Sequence, residues 1–323
     1  MKAIVQDTYG SVDVLQLRDI DRPAIADDEV LVRVHAAGVA RGVWHLMTGL
    51  PYPIRLAGYG FRAPKTPVPG TDLAGVVEAV GTGVTRFKPG DQVFGIGHGT
   101  FAEYARAPES KLALKPANLT YEQASTVAVS GLTALQALRD AGHVQPGQQV
   151  LVIGASGGVG TFAVQLAKAF GARVTAVCST TKVDLVRTLG ADHVIDYTRH
   201  DFADGSRRYD LIIDIGGNSS LSRLRRALTP SGTLVIAGGE TGGRWIGGYD
   251  RQLRALLLSR FVHQNLTTVL CSENHRDLLV LAELLESGKI TPAVDRTYTL
   301  AEAPQAIRHL EQGHARGKLV VTV

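Results

Sequence analysis

Cysteine is nearly missing from this chain: Cys178 and Cys271 are the only 2 in 323 residues. Two thiols so far apart cannot build a disulfide framework, and their scarcity points to a reducing, cytoplasmic setting. They are also too few for the four thiolates of a common structural zinc site. Aromatic residues make up only 6%, as in Ala/Val/Leu/Gly-rich α/β enzymes. No apolar run approaches the ~20 residues that cross a bilayer, and Met1 leads straight into an apolar strand, KAIVQ, without a signal peptide. Charge of one sign is lacking as well, with a net charge of +4 and no run of Lys or Arg longer than two. The triplet Arg223, Arg225 and Arg226 reads as a solvated helix face. Neither nucleic acid nor membrane is an expected partner.

Glycine, by contrast, is plentiful at 36 residues, and its densest stretch organises the chain. In QVLVIGASGGVGTFAVQLAKAFGARVTAVCSTTK (149–182), Val150 to Ile153 form the apolar run of a parallel strand covered on both faces. Gly154, Gly157, Gly158 and Gly160 follow within seven positions. From Phe162 the apolar residues take the helical period through Phe170; Gly171 ends that helix, and Arg173–Cys178 supplies a second strand. Strand, glycine turn, helix and strand together mark a dinucleotide site. Glycines let the backbone approach a pyrophosphate closely, and the first amides of the helix face its charge. Candidate contacts are Gly154, Ser156, Gly157, Gly158, Val159 and Gly160, joined by Gly216 and Gly238, each just past a later predicted strand. Ala155 stands where the G-x-G-x-x-G pattern has its first glycine.

The end of the second strand selects the cofactor. NAD sites usually place an Asp or Glu there for the ribose 2′-OH. Here the chain reads Cys178-Ser179-Thr180-Thr181-Lys182, with no acid until Asp184. Hydroxyls on Ser179 and Thr180 and the Lys182 cation suit a 2′-phosphate, so NADPH is expected. Ser179 and Thr180 can also cap the helix predicted over 181–189.

Residues 1 to about 122 read as short strands punctuated by Gly and Pro, a small β-barrel. Within them, 42–70 forms a long irregular stretch carrying Trp44, His45, Tyr52, Tyr59 and Phe61. Its apolar content argues for lining a pocket. Residues 130–140 read as a helix capped by Ser130. Strands and helices then alternate to residue 286, the pattern of a doubly wound parallel sheet, and the tail returns to β. The expected organisation is a catalytic domain of 1–122 and 295–323 and a nucleotide-binding domain of 123–294, with the active cleft between the two lobes.

Seven stretches carry a specific resemblance: AAGVARGVWHLMTG (36–49), PGTDLAGVVEAVG (69–81), KPGDQVFG (88–95), SGLTALQAL (130–138), GASGGVG (154–160), LGADHVIDY (189–197) and RGKLVVTV (316–323). Together they resemble the zinc-independent quinone oxidoreductase and alkenal reductase branch of the medium-chain dehydrogenase/reductase superfamily. The resemblance implies an α/β architecture, a GroES-like β-barrel catalytic domain with a doubly wound Rossmann domain, usually as a homodimer through residues near 250–270. It assigns Gly157, Gly158 and Gly160 to the pyrophosphate, Ser179 and Lys182 to the 2′-phosphate, and Tyr197 to the adenosine end. Ser130 and Thr133 would lie near the nicotinamide and ribose, and Tyr52 near the nicotinamide pocket. Relatives usually have Asn or Asp where this chain has Ala40.

No metal site is expected. Zinc-bearing relatives have Cys in place of Ala40 and His-Glu in place of Thr71-Asp72, and a histidine-only site would have to draw on His35, His45 and His98. Without a Lewis acid, hydride from NADPH suits an acceptor that delocalises charge: a quinone, or the C=C of an α,β-unsaturated carbonyl. Tyr52, Tyr59 and His45 are the available proton donors, Tyr52 being the catalytic candidate, and none sits in a constellation that marks a general acid. The expected substrate pocket comprises Trp44, His45, Tyr52, Tyr59, Phe61 and, from the loop 238–250, Trp245. The same Trp245 could instead serve interface packing. Two other readings fit these residues: a dedicated biosynthetic enone or enoyl reductase, and a non-catalytic NADPH-binding protein.

Overall fold

The computed structural model describes residues 1–239 and 243–323, with Ala57 and Gly58 described by their backbone alone. Its contacts divide the chain into two units. One comprises Met1–Leu132, Glu273–Gly288 and Pro292–Val323, the other Thr133–Ser272 and Lys289–Thr291.

The first unit is mainly β. Strands β1 (Lys2–Val5) and β2 (Gln16–Asp19) pair with each other. The main sheet contains β3 (Glu29–Val39), β4 (Asp72–Val80), β5 (Gln92–Ile96), β6 (Tyr104–Pro108) and β7 (Leu112–Leu114). Strand β3 is its hub. One edge pairs with β4, while the other pairs with β6 over residues 29–33 and with the C-terminal strand over residues 36–39. Alternation along β3 explains this position: Val30, Val32, Val34 and Val39 are buried in the unit's core with Leu73, Val93 and Leu319. The stretch read as irregular contains a helix, α1 (Arg41–Thr48), followed by a wide turn at Arg55–Tyr59. Ala40 at its N-cap makes no side-chain capping bond, so the usual start signal of a helix is missing.

A short α2 (Tyr121–Ala124), closed by a Thr120/Gln123 capping box, leads to α3 (Ala128–Gln136). The helix therefore begins before Ser130, which lies inside its first turn rather than capping it. The buried Asp72 of β4 takes that role by accepting the Val129 amide at 2.8 Å. A cap supplied from so far along the chain leaves no local signature.

In the second unit six parallel strands run in the order β10-β9-β8-β11-β12-β13. They are β8 (Gln149–Ile153), β9 (Arg173–Cys178), β10 (His193–Asp196), β11 (Tyr209–Asp214), β12 (Leu228–Ile236) and β13 (Asn265–Thr268). This is the doubly wound order, whose direction reverses between β8 and β11. Helices α4 (Gly158–Ala169), α5 (Val183–Thr188), α6 (Leu221–Ala227) and α7 (Tyr249–Ser259) connect them. Leu151, Ile153, Ile212, Leu234 and Ile236 bury the strands' shared core.

Helix α8 (His275–Glu286) packs with the first unit, where His275 Nδ1 meets the Leu112 carbonyl at 2.6 Å and Asn118 donates to the Leu285 carbonyl at 2.9 Å. The contact division thus puts 123–132 and 273–288 with the first unit, whereas the sequence pattern grouped all of 123–294 together. Strand β14 (Val294–Thr299), helix α9 (Ala303–Glu311) and strand β15 (Lys318–Thr322) complete the first unit, β15 pairing antiparallel with β3. Among the described residues no helix is long and apolar enough to cross a membrane.

Candidate cofactor and substrate sites

At the carboxyl end of β8 the chain turns through Gly154, whose φ of +85° is one that glycine adopts without strain. Helix α4 starts directly after it with Gly157 as N-cap. A Cβ on Gly160 would run into the Gly154 carbonyl oxygen and the Ala155 backbone. Glycine at 160 is therefore what lets the helix seat against the turn. Gly157 is the opposite case, because a Cβ there would find nothing nearer than the Gly154 carbonyl at 3.6 Å. The first amides of this 12-residue helix thus have room beside them, the arrangement that accepts an anion.

Gly216 and Gly238 extend this surface. They follow β11 and β12, which lie next to β8 in that order. A Cβ on Gly154 would come within 2.9 Å of the Gly216 amide nitrogen, and one on Gly238 would strike the Ile215 carbonyl oxygen. Three consecutive strand ends thus touch backbone to backbone, across the point where the sheet order reverses. Glycines at these strand ends add no side chain of their own to the floor, at the place where a doubly wound sheet takes a dinucleotide.

Beside it, Ser179 occupies the cap position of a tight turn, Thr180–Lys182, without making a side-chain capping bond. Thr180 does not cap the helix either. Its hydroxyl donates to Asp196 Oδ2 at 2.5 Å and lies 3.1 Å from the Thr198 hydroxyl. Asp196 ends β10 opposite Cys178. It is an acid beside the second strand's end that the strand's own sequence does not reveal. The Thr180 hydroxyl holds its carboxyl below the usual carboxylate range, with Thr198 helping and burial opposing. Tyr197 is exposed and its amide bonds the Cys178 carbonyl, which brings it to the same corner. Cys178 itself is buried, and burial pushes its thiol up to about 11, so it is no nucleophile.

Of the remaining cofactor candidates, Ser130 is buried and Thr133 half-buried in α3.

The predicted pocket residues are held by several different partners. Trp44 packs partly buried on the first unit's core and donates its indole N–H to Glu311 of α9 at 3.3 Å. His45 meets Trp44 edge-on, and its Nδ1 bonds the Leu50 carbonyl at 2.8 Å, which makes Nδ1 the protonated nitrogen. Tyr52 lies under the Arg55 guanidinium at 5.0 Å, and Tyr9 stacks on the same guanidinium at 4.4 Å. Arg55 Nε also donates to the Gly49 carbonyl at 2.9 Å, and the Tyr9 hydroxyl donates to the Gly60 carbonyl at 2.7 Å. Arg55 and Tyr9, which the sequence reading did not single out, are therefore what fix the segment around Tyr52. Tyr59 and Phe61 are exposed. Trp245 is 73% exposed, beside a loop whose residues 240–242 lie outside the described residues.

Thr71-Asp72, where the resemblance would set a zinc-bearing relative's His-Glu pair, includes a structural acid. Asp72 is fully buried, bonds Lys318 Nζ at 3.0 Å and has its carboxyl pushed up by burial against the pull of that lysine. It ties β4 to β15 and to α3. Among the described residues no three His, Cys, Asp or Glu side chains group as a metal would require.

Comparison with known proteins decides the family. The model of an alcohol dehydrogenase GroES-like domain matches residues 26–117, and that of a zinc-binding dehydrogenase matches residues 189–321. A mitochondrial NAD(P)H oxidoreductase of Mus musculus is 35% identical over 100% of this chain and 89% of its own length. The chain belongs to the medium-chain dehydrogenase/reductase superfamily, in its quinone oxidoreductase and alkenal reductase branch. Within that superfamily, the 2-methylene-furan-3-one reductase of Solanum lycopersicum is 34% identical over 99% of this chain and 79% of its own. The quinone oxidoreductase of Escherichia coli, solved with NADPH, superposes with a TM-score of 0.85 at 26% identity over 100% of both chains. The first unit is thus a GroES-like domain and the second a Rossmann-like domain.

Proposed function

We propose that this oxidoreductase uses NADPH to reduce quinones or the C=C bond of α,β-unsaturated carbonyls, without a metal ion. The observation that carries the reading is the close-packed glycine backbone of Gly154, Gly216 and Gly238 beside the N-terminus of α4, where Gly157 has room around it. The amides at 158–160 would hold the pyrophosphate, with Gly157 leaving room for it to approach. Ser179 and Lys182 would hold the 2′-phosphate, with Tyr197 at the adenosine end and Ser130 and Thr133 toward the nicotinamide. Asp196 does not argue for NADH, because its oxygens are engaged with Thr180 and Thr198. The Escherichia coli neighbour solved with NADPH supports the same choice.

When bound, the reduced nicotinamide supplies hydride. The chain's own task is to orient the acceptor, exclude water and return a proton. An acceptor that delocalises its own charge needs no Lewis acid, which agrees with the use of Asp72 in an internal ion pair. Tyr52, steadied by Arg55, is the candidate proton donor. Specificity would rest on 42–62 and 238–250. The tomato relative, named for a conjugated cyclic ketone, favours a dedicated enone substrate as the second reading.

A homodimer is supported by an exposed apolar face. Leu253, Leu257 and Phe261, at four-residue spacing on and after α7, are exposed, as are Trp245 and Leu270 in the adjoining sequence. Such a patch on a monomer marks an interaction surface. It favours interface packing for Trp245. The scarcity of cysteine, two in 323 residues, supports a cytoplasmic setting.

The test is NADPH oxidation by chelator-treated protein against a benzoquinone, a 2-alkenal, a cyclic enone and a saturated ketone, with NADH in parallel. The expected result is turnover of quinones or conjugated carbonyls with NADPH preferred. Turnover of the saturated ketone alone, or activity that returns only with added zinc, would contradict the reading.

A further inference from the structure

Asp214 is the last residue of β11 and is completely buried; Arg251 lies in the first turn of α7 and is 13% exposed. Arg251 Nη1 donates to Asp214 Oδ2 at 2.5 Å and to the Ser219 carbonyl at 2.9 Å, while Nη2 donates to the Gly238 carbonyl at 2.9 Å. The other Asp214 oxygen accepts the Gly217 amide at 3.3 Å. One guanidinium therefore joins the end of β11, the loop that follows it and the second residue past β12. The planar fork of arginine suits three acceptors at fixed directions, and an ammonium could not reach them together.

Stability alone is a weak reason for such a pair. Burying two opposite charges costs desolvation that their attraction roughly repays, and apolar side chains of similar volume often serve as well. The surroundings suggest what the pair is for. A cavity of about 360 Å³ opens beside residues 217–222, lined also by Gly248, Asp250, Arg251 and Arg254. The loop borders this cavity and is held by the Arg251 bond to the Ser219 carbonyl, the Gly217 amide on Asp214 and the Ser220 cap of α6. Two of the segments joined by Arg251 carry Gly216 and Gly238, two of the three glycines in the floor described above.

We propose that Arg251 is a positioning residue for the cofactor site. Through Asp214 and the Ser219 and Gly238 carbonyls it locks the ends of β11 and β12 in a binding-ready arrangement. The dinucleotide then meets a preformed floor and does not have to order it. The inference rests on the NADPH reading, and it assigns Arg251 a role through the strand ends and not as a ligand of the cofactor. The adenosine 2′-phosphate corner at Ser179 and Lys182 lies past β9, on the other side of β8, and is independent of it.

The test uses the full chain with Arg251→Lys, and Arg251→Met as a second variant. Three quantities are read: amide hydrogen exchange of 215–219 and 237–239 without cofactor, NADPH affinity, and affinity for adenosine 2′,5′-bisphosphate. We expect exchange in both loops to accelerate and the NADPH Kd to rise, each by about tenfold or more, with the bisphosphate Kd within about twofold of wild type. Unchanged exchange, unchanged NADPH affinity, or equal weakening of both ligands would overturn the proposal. Wild-type protein that binds neither ligand would instead contradict the NADPH reading, and the exchange arm would then decide whether Arg251 sets the loops.

Discussion

At the carboxyl ends of β8, β11 and β12 the candidate site is made of backbone, whereas the 42–62 segment is made of side chains. The first surface works because Cβ atoms are missing where strands and helix touch. The second is assembled by one guanidinium between Tyr9 and Tyr52, with carbonyls at Gly49 and Gly60 as its anchors. A backbone surface recognises what all dinucleotides share, and tolerates almost no substitution. A side-chain surface can be rewritten residue by residue. That division suits a cofactor held in common and an acceptor that differs between relatives.

The contrast breaks most severely at Gly160. Gly160→Ala places a Cβ against the Gly154 carbonyl and the Ala155 backbone, neither of which can yield as a side chain would. We expect a loss of about 3 kcal/mol, read by urea unfolding, together with weaker NADPH binding. A variant as stable as wild type would show that α4 is not seated by this glycine.

A smaller and more selective effect is expected at Arg55. Arg55→Ala removes two aromatic contacts and the bond to the Gly49 carbonyl, about 1–2 kcal/mol in all. The acceptor KM should rise while NADPH affinity holds. Loss of NADPH affinity in step with acceptor KM would dissolve the distinction between the two surfaces.

The smallest effect is a pH limb. The Thr180 and Thr198 bonds hold the Asp196 carboxyl below the usual carboxylate range. A depressed native pKa stabilises the fold above the unfolded value near about 4. That stabilisation fades as pH falls through the native value. Asp196→Asn should flatten this acid limb when unfolding is followed by circular dichroism between neutral and acid pH. Superimposable limbs in the two proteins would show that Asp196 carries none of it.

These differences also explain what could be read from the chain. The strand–turn–helix unit at 149–178 was legible because glycine spacing, apolar runs and helical period all lie within thirty positions. Strand β9 matches its predicted range at Arg173–Cys178. What escaped depends on partners distant in sequence. Helix α3 starts before Ser130 because Asp72 reaches its first turn from 57 positions away. Helix α1 was hidden by its uncapped Ala40. The capping role read for Thr180 is not the one it fills, because Asp196, 16 positions on, takes its hydroxyl proton. Arg251 gave no signal at all, since its carboxylate lies 37 positions earlier and its other acceptors are carbonyls, which no sequence pattern marks.

The most direct test of the account is an equilibrium titration with NADPH and with NADH of wild type, Gly157→Ala and Lys182→Ala. The Gly157 position has room for a methyl group without a clash, so the melting temperature should hold. NADPH and NADH should nonetheless both weaken, by about tenfold or more, because the methyl fills the space a pyrophosphate would take. Lys182→Ala should weaken NADPH by about tenfold and leave NADH within about twofold, since only the 2′-phosphate meets that charge. A Gly157→Ala variant that binds both cofactors as wild type does, or a Lys182→Ala variant that loses both equally, would contradict the placement of the dinucleotide on this floor.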